Sequence, residues 1–287
     1  MGAMPVDRWV SCFNVVLAFS WLPLCRTTPI AIWFLLGHLL LAGLLWCVPG
    51  WRQYRLPSLM HLGELYPLAL IGGVWNELGI RHRYIADLPN DLLISRIELA
   101  LFGQHPHELW VRLLPAPWIM EAMNGVYFTY YVLLVGVPLL VLLGNSRTGI
   151  QRMVLRLAVG YLGCFLIYLL FPVEGPRDAF PASIATLTPG SFTAINAAIR
   201  TAGDSLGTAF PSSHVVGAIS LAWAAWECGP RWLRLPSMLM AAAIPAATVY
   251  TQNHYALDAL SGVIVALILH SLVLPAVTAV VRPPLEA

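Results

Sequence analysis

Lysine is absent from this chain of 287 residues, and charge of either sign is scarce. All 16 basic residues are arginines, which excludes every lysine-based mechanism. Charged residues make up 10% and hydrophobic ones 59%. A soluble domain carries about 25% charged residues, so this is the composition of a membrane protein. A net charge of +2 gives no basis for a nucleic-acid partner. The five cysteines (Cys12, Cys25, Cys47, Cys164, Cys228) are odd in number, lack metal-ligand spacing and lie mostly in apolar segments. They therefore read as small apolar residues and not as a disulfide framework. No internal repeat is evident, which weighs against a transporter.

What the chain does have is a series of long apolar runs. A bilayer core takes roughly 20 apolar residues per helix. On that measure there are eight candidate spans, at about 9–25, 30–51, 56–79, 124–144, 153–172, 213–229, 236–253 and 255–281. The fold class is all-α, a polytopic bundle: residues 1–55 form an N-terminal hairpin and residues 56–287 a six-helix core. The first apolar run is followed directly by another, so it reads as a retained helix and not as a signal peptide. Eight spans put both termini on one side, with nine arginines in the short loops there, against seven on the other side. The positive-inside bias makes the termini cytoplasmic and places the long connections, about 80–123 and 173–212, outside. In the first, Leu93, Ile97 and Leu101 with Ile94 and Phe102 suit an amphipathic helix along the interface, capping the bundle and leaving a lipid-facing entrance.

Three short stretches sit at the outer ends of these spans. Phe210-Pro211-Ser212-Ser213-His214 reads as a helix start, where free backbone N–H groups and serine hydroxyls form an anion cradle. His254 and Asp258 are four apart, so on a helix they share a face about 6 Å apart along the axis. A carboxylate on one imidazole nitrogen fixes the tautomer and leaves the other nitrogen free to attack. Arg177, after Glu174-Gly175-Pro176, can hold two phosphate oxygens in a fork. Each stretch alone has a bland reading: a capped helix, an interhelical hydrogen bond, an interfacial anchor. Together at one membrane face they make a site for breaking a phosphate ester.

These residues resemble the three motifs of the type 2 phosphatidic acid phosphatase superfamily, which includes lipid phosphate phosphatases and vanadium haloperoxidases. More narrowly they resemble the branch of inositol phosphorylceramide and sphingomyelin synthases, because His254-Tyr255-x-x-Asp258 with Gly262 is close to that branch's third motif. The resemblance implies His254 as nucleophile, Asp258 as its orienting partner and His214 as general acid. It also implies that Arg177, Ser212 and Ser213 hold the phosphate, with no metal and no cofactor. Four positions depart from the common pattern: Leu170 replaces a lysine, Asp178 a proline, Ser213 a glycine and Thr248 an arginine. Two phosphate-binding cations are therefore missing, and Arg81, Arg83 or Arg200 are the candidates to supply one from the outer loops. Glu64, with His61, Asn76 and Glu77 in or beside the third span, is a further candidate for contact with a headgroup.

The expected activity is that of a lipid phosphatase or phosphotransferase acting through a phosphohistidine on a phosphorylated lipid held in the bilayer. An inositol-phosphoryl or phosphocholine headgroup transferase, with an alcohol such as inositol as acceptor, is the specific alternative. A lipid or solute transporter is the alternative from another class. The expected location is a bacterial inner membrane, with the active site on the periplasmic side.

Overall fold

The structure is a computed structural model that describes residues 5–47, 63–85, 90–144, 146–180 and 190–280. Arg52, Arg55, His61, Arg282 and the first residues of the expected third span lie outside them. Thirteen α-helices in the described residues are α1 (Pro5–Trp21), α2 (Ile30–Cys47), α3 (Tyr66–His82), α4 (Asn90–Phe102), α5 (Pro106–Leu113), α6 (Pro117–Leu143), α7 (Arg147–Leu170), α8 (Pro176–Ala179), α9 (Ser191–Gly203), α10 (Ser213–Cys228), α11 (Arg231–Tyr250), α12 (Ala256–Ile268) and α13 (Leu274–Val280). A π-helical turn, Leu269–Val273, joins the last two. The described chain contains no strand; Val173 and Thr208 form one isolated parallel bridge. The protein is thus an all-α polytopic bundle.

Six helical stretches are long and apolar enough to cross a bilayer, including Val6–Arg26 and Ala256–Ala279. Two of the eight expected spans are shorter within the described residues: α3 has 17 residues and α10 has 16. The helices also run past the apolar windows. α7 starts at Arg147 because Ser146 caps it, its hydroxyl accepting from Gly149 N–H at 3.2 Å. Its arginine-bearing first turns are helical without being apolar. The last two expected spans are indeed separate helices, divided at Thr251–Tyr255.

α10 is the central element. It packs against α6, α7, α11 and α12, and its Val215, Val216, Ala218 and Leu221 are fully buried. Small residues let its neighbours approach closely, as expected where helix packing lacks a water-driven contribution. A Cβ on Gly217 would sit 2.3 Å from the Tyr161 hydroxyl, and one on Gly262 would lie 2.9 Å from Ser212 O and 2.9 Å from Val215 Cβ. His270 bonds Ser220 Oγ at 2.7 Å inside the bundle, a structural role in keeping with its depth.

The N-terminal hairpin shares the main core, with Val6, Val10, Phe13 and Leu17 of α1 in the same cluster as residues of α7, against which α1 packs. Polar bonds reinforce it. Trp9 Nε1 donates to Ala158 O at 3.2 Å. Glu77 accepts from Trp21 Nε1 at 2.6 Å and faces His38 Nε2 at 2.8 Å, while His38 Nδ1 meets Asn14 Oδ1 at 2.7 Å. Glu77 is therefore bound up in holding the hairpin to α3.

Gly262→Val is expected to overpack the α10–α12 contact and cost about 2 kcal/mol. It should lower the thermal midpoint in detergent and, by moving the chain ends that the contact aligns, reduce turnover. A variant with unchanged midpoint and activity would show that this contact is not required.

Candidate functional site

The C-terminal end of α7, the start of α10 and the turn between α11 and α12 meet at one end of the bundle. Non-helical backbone at such a rim must find internal partners. Carboxylates supply several of them. Asp91 on α4 accepts Glu174 N–H and Gly175 N–H, both at 2.9 Å, and the Tyr255 hydroxyl at 3.3 Å. Glu98, one turn from the end of α4, accepts Ala256 N–H at 2.6 Å. Asp258 accepts Tyr255 N–H at 2.9 Å as the acidic half of a capping box, and its own carbonyl accepts Ser212 N–H at 3.0 Å. α4 therefore has acids on its buried side, while Leu93, Ile97 and Leu101 are exposed. The expected outer amphipathic helix is present, and its polar face turns inward.

Gly175 is a position where no other residue fits. Its φ is +92°, and a Cβ there would lie 2.9 Å from Asn253 O. This contact sets Arg177 beside the third motif. Arg177 Nε donates to Asn253 Oδ1 at 3.2 Å, and a terminal nitrogen donates to Thr251 O. Burial, with Arg200 nearby, lowers the Arg177 pKa to about 10, so the guanidinium stays charged at neutral pH.

His254 lies in the turn and not on α12: Tyr255 is the N-cap and has extended backbone angles. The pairing expected from a shared helix face forms across this cap instead. His254 Nδ1 lies 3.3 Å from Asp258 Oδ2. His254 Nε2 lies 3.5 Å from His214 Nδ1, and His214 Nε2 meets the Tyr127 hydroxyl at 2.8 Å. Tyr130 also packs its ring against His214, with centroids 4.6 Å apart.

A cavity of about 140 Å³ opens on these groups. His214, His254, Arg177 and Arg200 line it, together with Glu174, Asp178 and Asp204. The Asp204 side chain is 52% exposed, yet the partial desolvation of its carboxyl at the cavity wall raises it to about 6 against the pull of Arg200, and burial also raises Glu174. A second, largely apolar cavity of about 430 Å³ adjoins the first. It runs between α3, α6 and α7, past Leu68, Ile71, Leu134 and Phe165, and shares Trp75, Asp204 and His214 with the polar one.

The other residues singled out from sequence fall in different places. Arg200, on α9, is the one added cation in the lining. Arg81 instead donates to Ser20 O at 3.2 Å, holding the end of α1, and Arg83 is exposed and lines neither cavity. Glu64 precedes α3 at the end away from the site and accepts Arg147 Nε at 3.0 Å and Gln151 Nε2 at 3.3 Å. Ser213 lines the apolar cavity; Ser212 is fully buried below both, its hydroxyl without a hydrogen-bond partner among the described residues. Leu170, at the position of the family's lysine, is 86% exposed and so turned away from the cavity. Sequence reading passed over Tyr127, Asn253, Asp204, Asp91 and Glu98. Asp204 carried a signal, standing four residues after Arg200, and Asn253 adjoins His254; for Tyr127 only the aromatic run of α6 pointed that way.

No curated protein and no solved structure matches the chain. A profile of the PAP2 superfamily matches residues 92–272, a stretch that contains all three motifs. That match, over more than half the chain, means that this integral membrane protein belongs to the PAP2 superfamily, whose members include phosphatases and phosphotransferases.

Proposed function

We propose that the protein cleaves a phosphate ester of a lipid through a phosphohistidine on His254 and passes the phosphoryl group to water or a second alcohol. The observation that carries this reading is the pair of imidazole nitrogens 3.5 Å apart, His254 Nε2 and His214 Nδ1, at the wall of a cavity lined by Arg177. Asp258 accepts from His254 Nδ1–H, so the Nε2 lone pair is directed at the cavity. Phosphate seated against Arg177 and Arg200 brings its phosphorus to Nε2. The bound phosphate anion favours the imidazolium of His214, which gives its Nδ1 proton to the departing oxygen as the N–P bond forms, while its Nε2–H stays bonded to the Tyr127 oxygen. Neutral His214 then takes a proton from the incoming water or alcohol, whose oxygen displaces His254 Nε2. Arg177 stabilises the charge on the five-coordinate phosphorus.

The adjoining apolar cavity supports a lipid substrate, since a tail lying there leaves its phosphate between the histidines. The arginine bias of the loops supports cytoplasmic termini and a site on the periplasmic side of a bacterial inner membrane.

The lining also favours one kind of donor. Two guanidiniums face three carboxylates, a poor balance for a doubly charged phosphomonoester. A phosphodiester carries a single negative charge, which favours headgroup transfer of the inositol-phosphoryl or phosphocholine type. The test is an assay of the purified protein in detergent against phosphatidic acid, a polyprenyl phosphate and phosphodiester lipids. Phosphate release and headgroup transfer are read side by side. A diester donor should give the higher kcat/KM; a clear preference for monoesters would reverse the second reading and leave the first intact.

His254→Ala should abolish turnover without lowering the thermal midpoint, and vanadate should compete with substrate. Activity that survives the substitution, or indifference to vanadate, would mean another nucleophile.

Asp204 provides a pH signature. Below pH 6 its carboxyl is neutral; as pH rises through about 6 it ionises and repels the bound anion. The KM of the wild type should therefore climb relative to that of Asp204→Asn, from near parity on the acid side to roughly fivefold higher on the alkaline side, about 1 kcal/mol. A ratio that stays constant across this window would remove Asp204 from the substrate's surroundings.

A further inference from the structure

We propose that Glu98, His105 and His107 form a binding site for one divalent transition-metal cation of the zinc class, which fastens the α4–α5 cap to the turn carrying His254. The sequence hides the set: one ligand lies near the end of α4 and two flank Pro106 at the start of α5. Gly103, with φ +73°, reverses the chain between them. Their candidate ligand atoms all lie within 4.8 Å of one another. Both histidines turn Nδ1 toward the same carboxylate oxygen: Glu98 Oε2 is 3.0 Å from His105 Nδ1 and 3.5 Å from His107 Nδ1.

The two nitrogen–oxygen separations match the edges of a tetrahedral site, about 3.3 Å for metal–ligand bonds of about 2.0–2.1 Å. Glu98 and His107 are 0% and 2% exposed, and the His105 side chain, at 22%, leaves a way in from the rim. His107 Nδ1 is buried and aimed into the cluster, where its nearest carboxylate oxygen, Glu98 Oε2 at 3.5 Å, forms no well-directed hydrogen bond with it. A buried nitrogen in that state is costly unless something binds it. Two imidazoles and a carboxylate suit zinc, cobalt or nickel, whereas magnesium and calcium prefer all-oxygen sets. Three protein ligands leave a fourth position for water.

The surroundings are those of a ligand set held from behind. Ser95 Oγ lies 3.4 Å from His105 Nε2, and Glu108 Oε1 lies 4.0 Å from His107 Nε2. Glu98 uses its other oxygen to accept Ala256 N–H at 2.6 Å, and the His107 ring stands edge-on to Tyr255 with centroids 5.7 Å apart. The cation would therefore position the segment that bears His254 without touching the phosphate cavity, which none of the three residues lines. The inference stands independently of the proposed reaction.

The experiment uses the full chain in detergent, stripped with a chelator and then equilibrated with zinc or magnesium. Elemental analysis should find one zinc per chain and no retained magnesium, and zinc should raise the thermal midpoint. Cobalt in place of zinc should give the visible absorption of a four- or five-coordinate N,O site. His105→Ala, at the rim, and His107→Ala, in the interior, should each weaken zinc binding by about a hundredfold or more and remove the shift in midpoint. The first of these keeps the test open if the second does not fold. Failure of the wild type to retain zinc, or equal affinity in His105→Ala, overturns the proposal.

Discussion

Backbone amides at the rim of a membrane bundle have few partners to choose from: water is scarce, and a helix offers a turn only the unpaired groups near its ends. In this protein Asp91, Glu98 and Asp258 take that role, and the same hydrogen bonds bring the three motifs together. Asp91 gathers the loop before Arg177, Glu98 gathers the start of α12, and Asp258 joins the turn of His254 to the start of α10. Two of the three carboxylates come from α4, a helix that contributes nothing to either cavity lining. The geometry of the histidines is thus a product of backbone accommodation, with the cap as the brace.

Glycine completes the arrangement at two points for two different reasons. Gly175 is needed for its positive φ and for the closeness of Asn253 O, which together bring a guanidinium to the histidines. Gly262 is an ordinary helical residue whose missing side chain lets α12 touch the beginning of α10. The first sets direction and the second sets distance. The charge pattern is a separate matter: with Leu170 turned outward and Thr248 occupied by backbone bonds of the turn, only Arg200 among the described residues joins Arg177 as a fixed cation.

The spans and the motifs were legible because each depends on local pattern. Apolar length announces a crossing, and Ser212-Ser213-His214 or His254-Tyr255-x-x-Asp258 carries its chemistry within five residues. Helix ends were less so: α7 begins among arginines, where apolarity is silent and the cap at Ser146 decides. Partners separated by long stretches of chain were not legible at all. Arg81, Arg83, Arg200 and Glu64 look alike as candidates in sequence, and only packing distinguishes the arginine that faces the cavity from the one bound to the end of α1. His105 and His107 likewise lack metal-ligand spacing along the chain, because their third companion sits across a reversal of direction. Tyr127 was hidden among the aromatic residues of α6, with nothing to mark it as the one whose hydroxyl comes nearer to His214 Nε2 than that of Tyr131.

The inside-out character of α4 limits how the cap can move. Lifting it into water would uncover a stripe of leucine and isoleucine side chains and strip three amides of their acceptors in the same step. Both faces of α4 therefore hold it at the bilayer surface, the outer one through its apolar side chains and the inner one through the amides it serves.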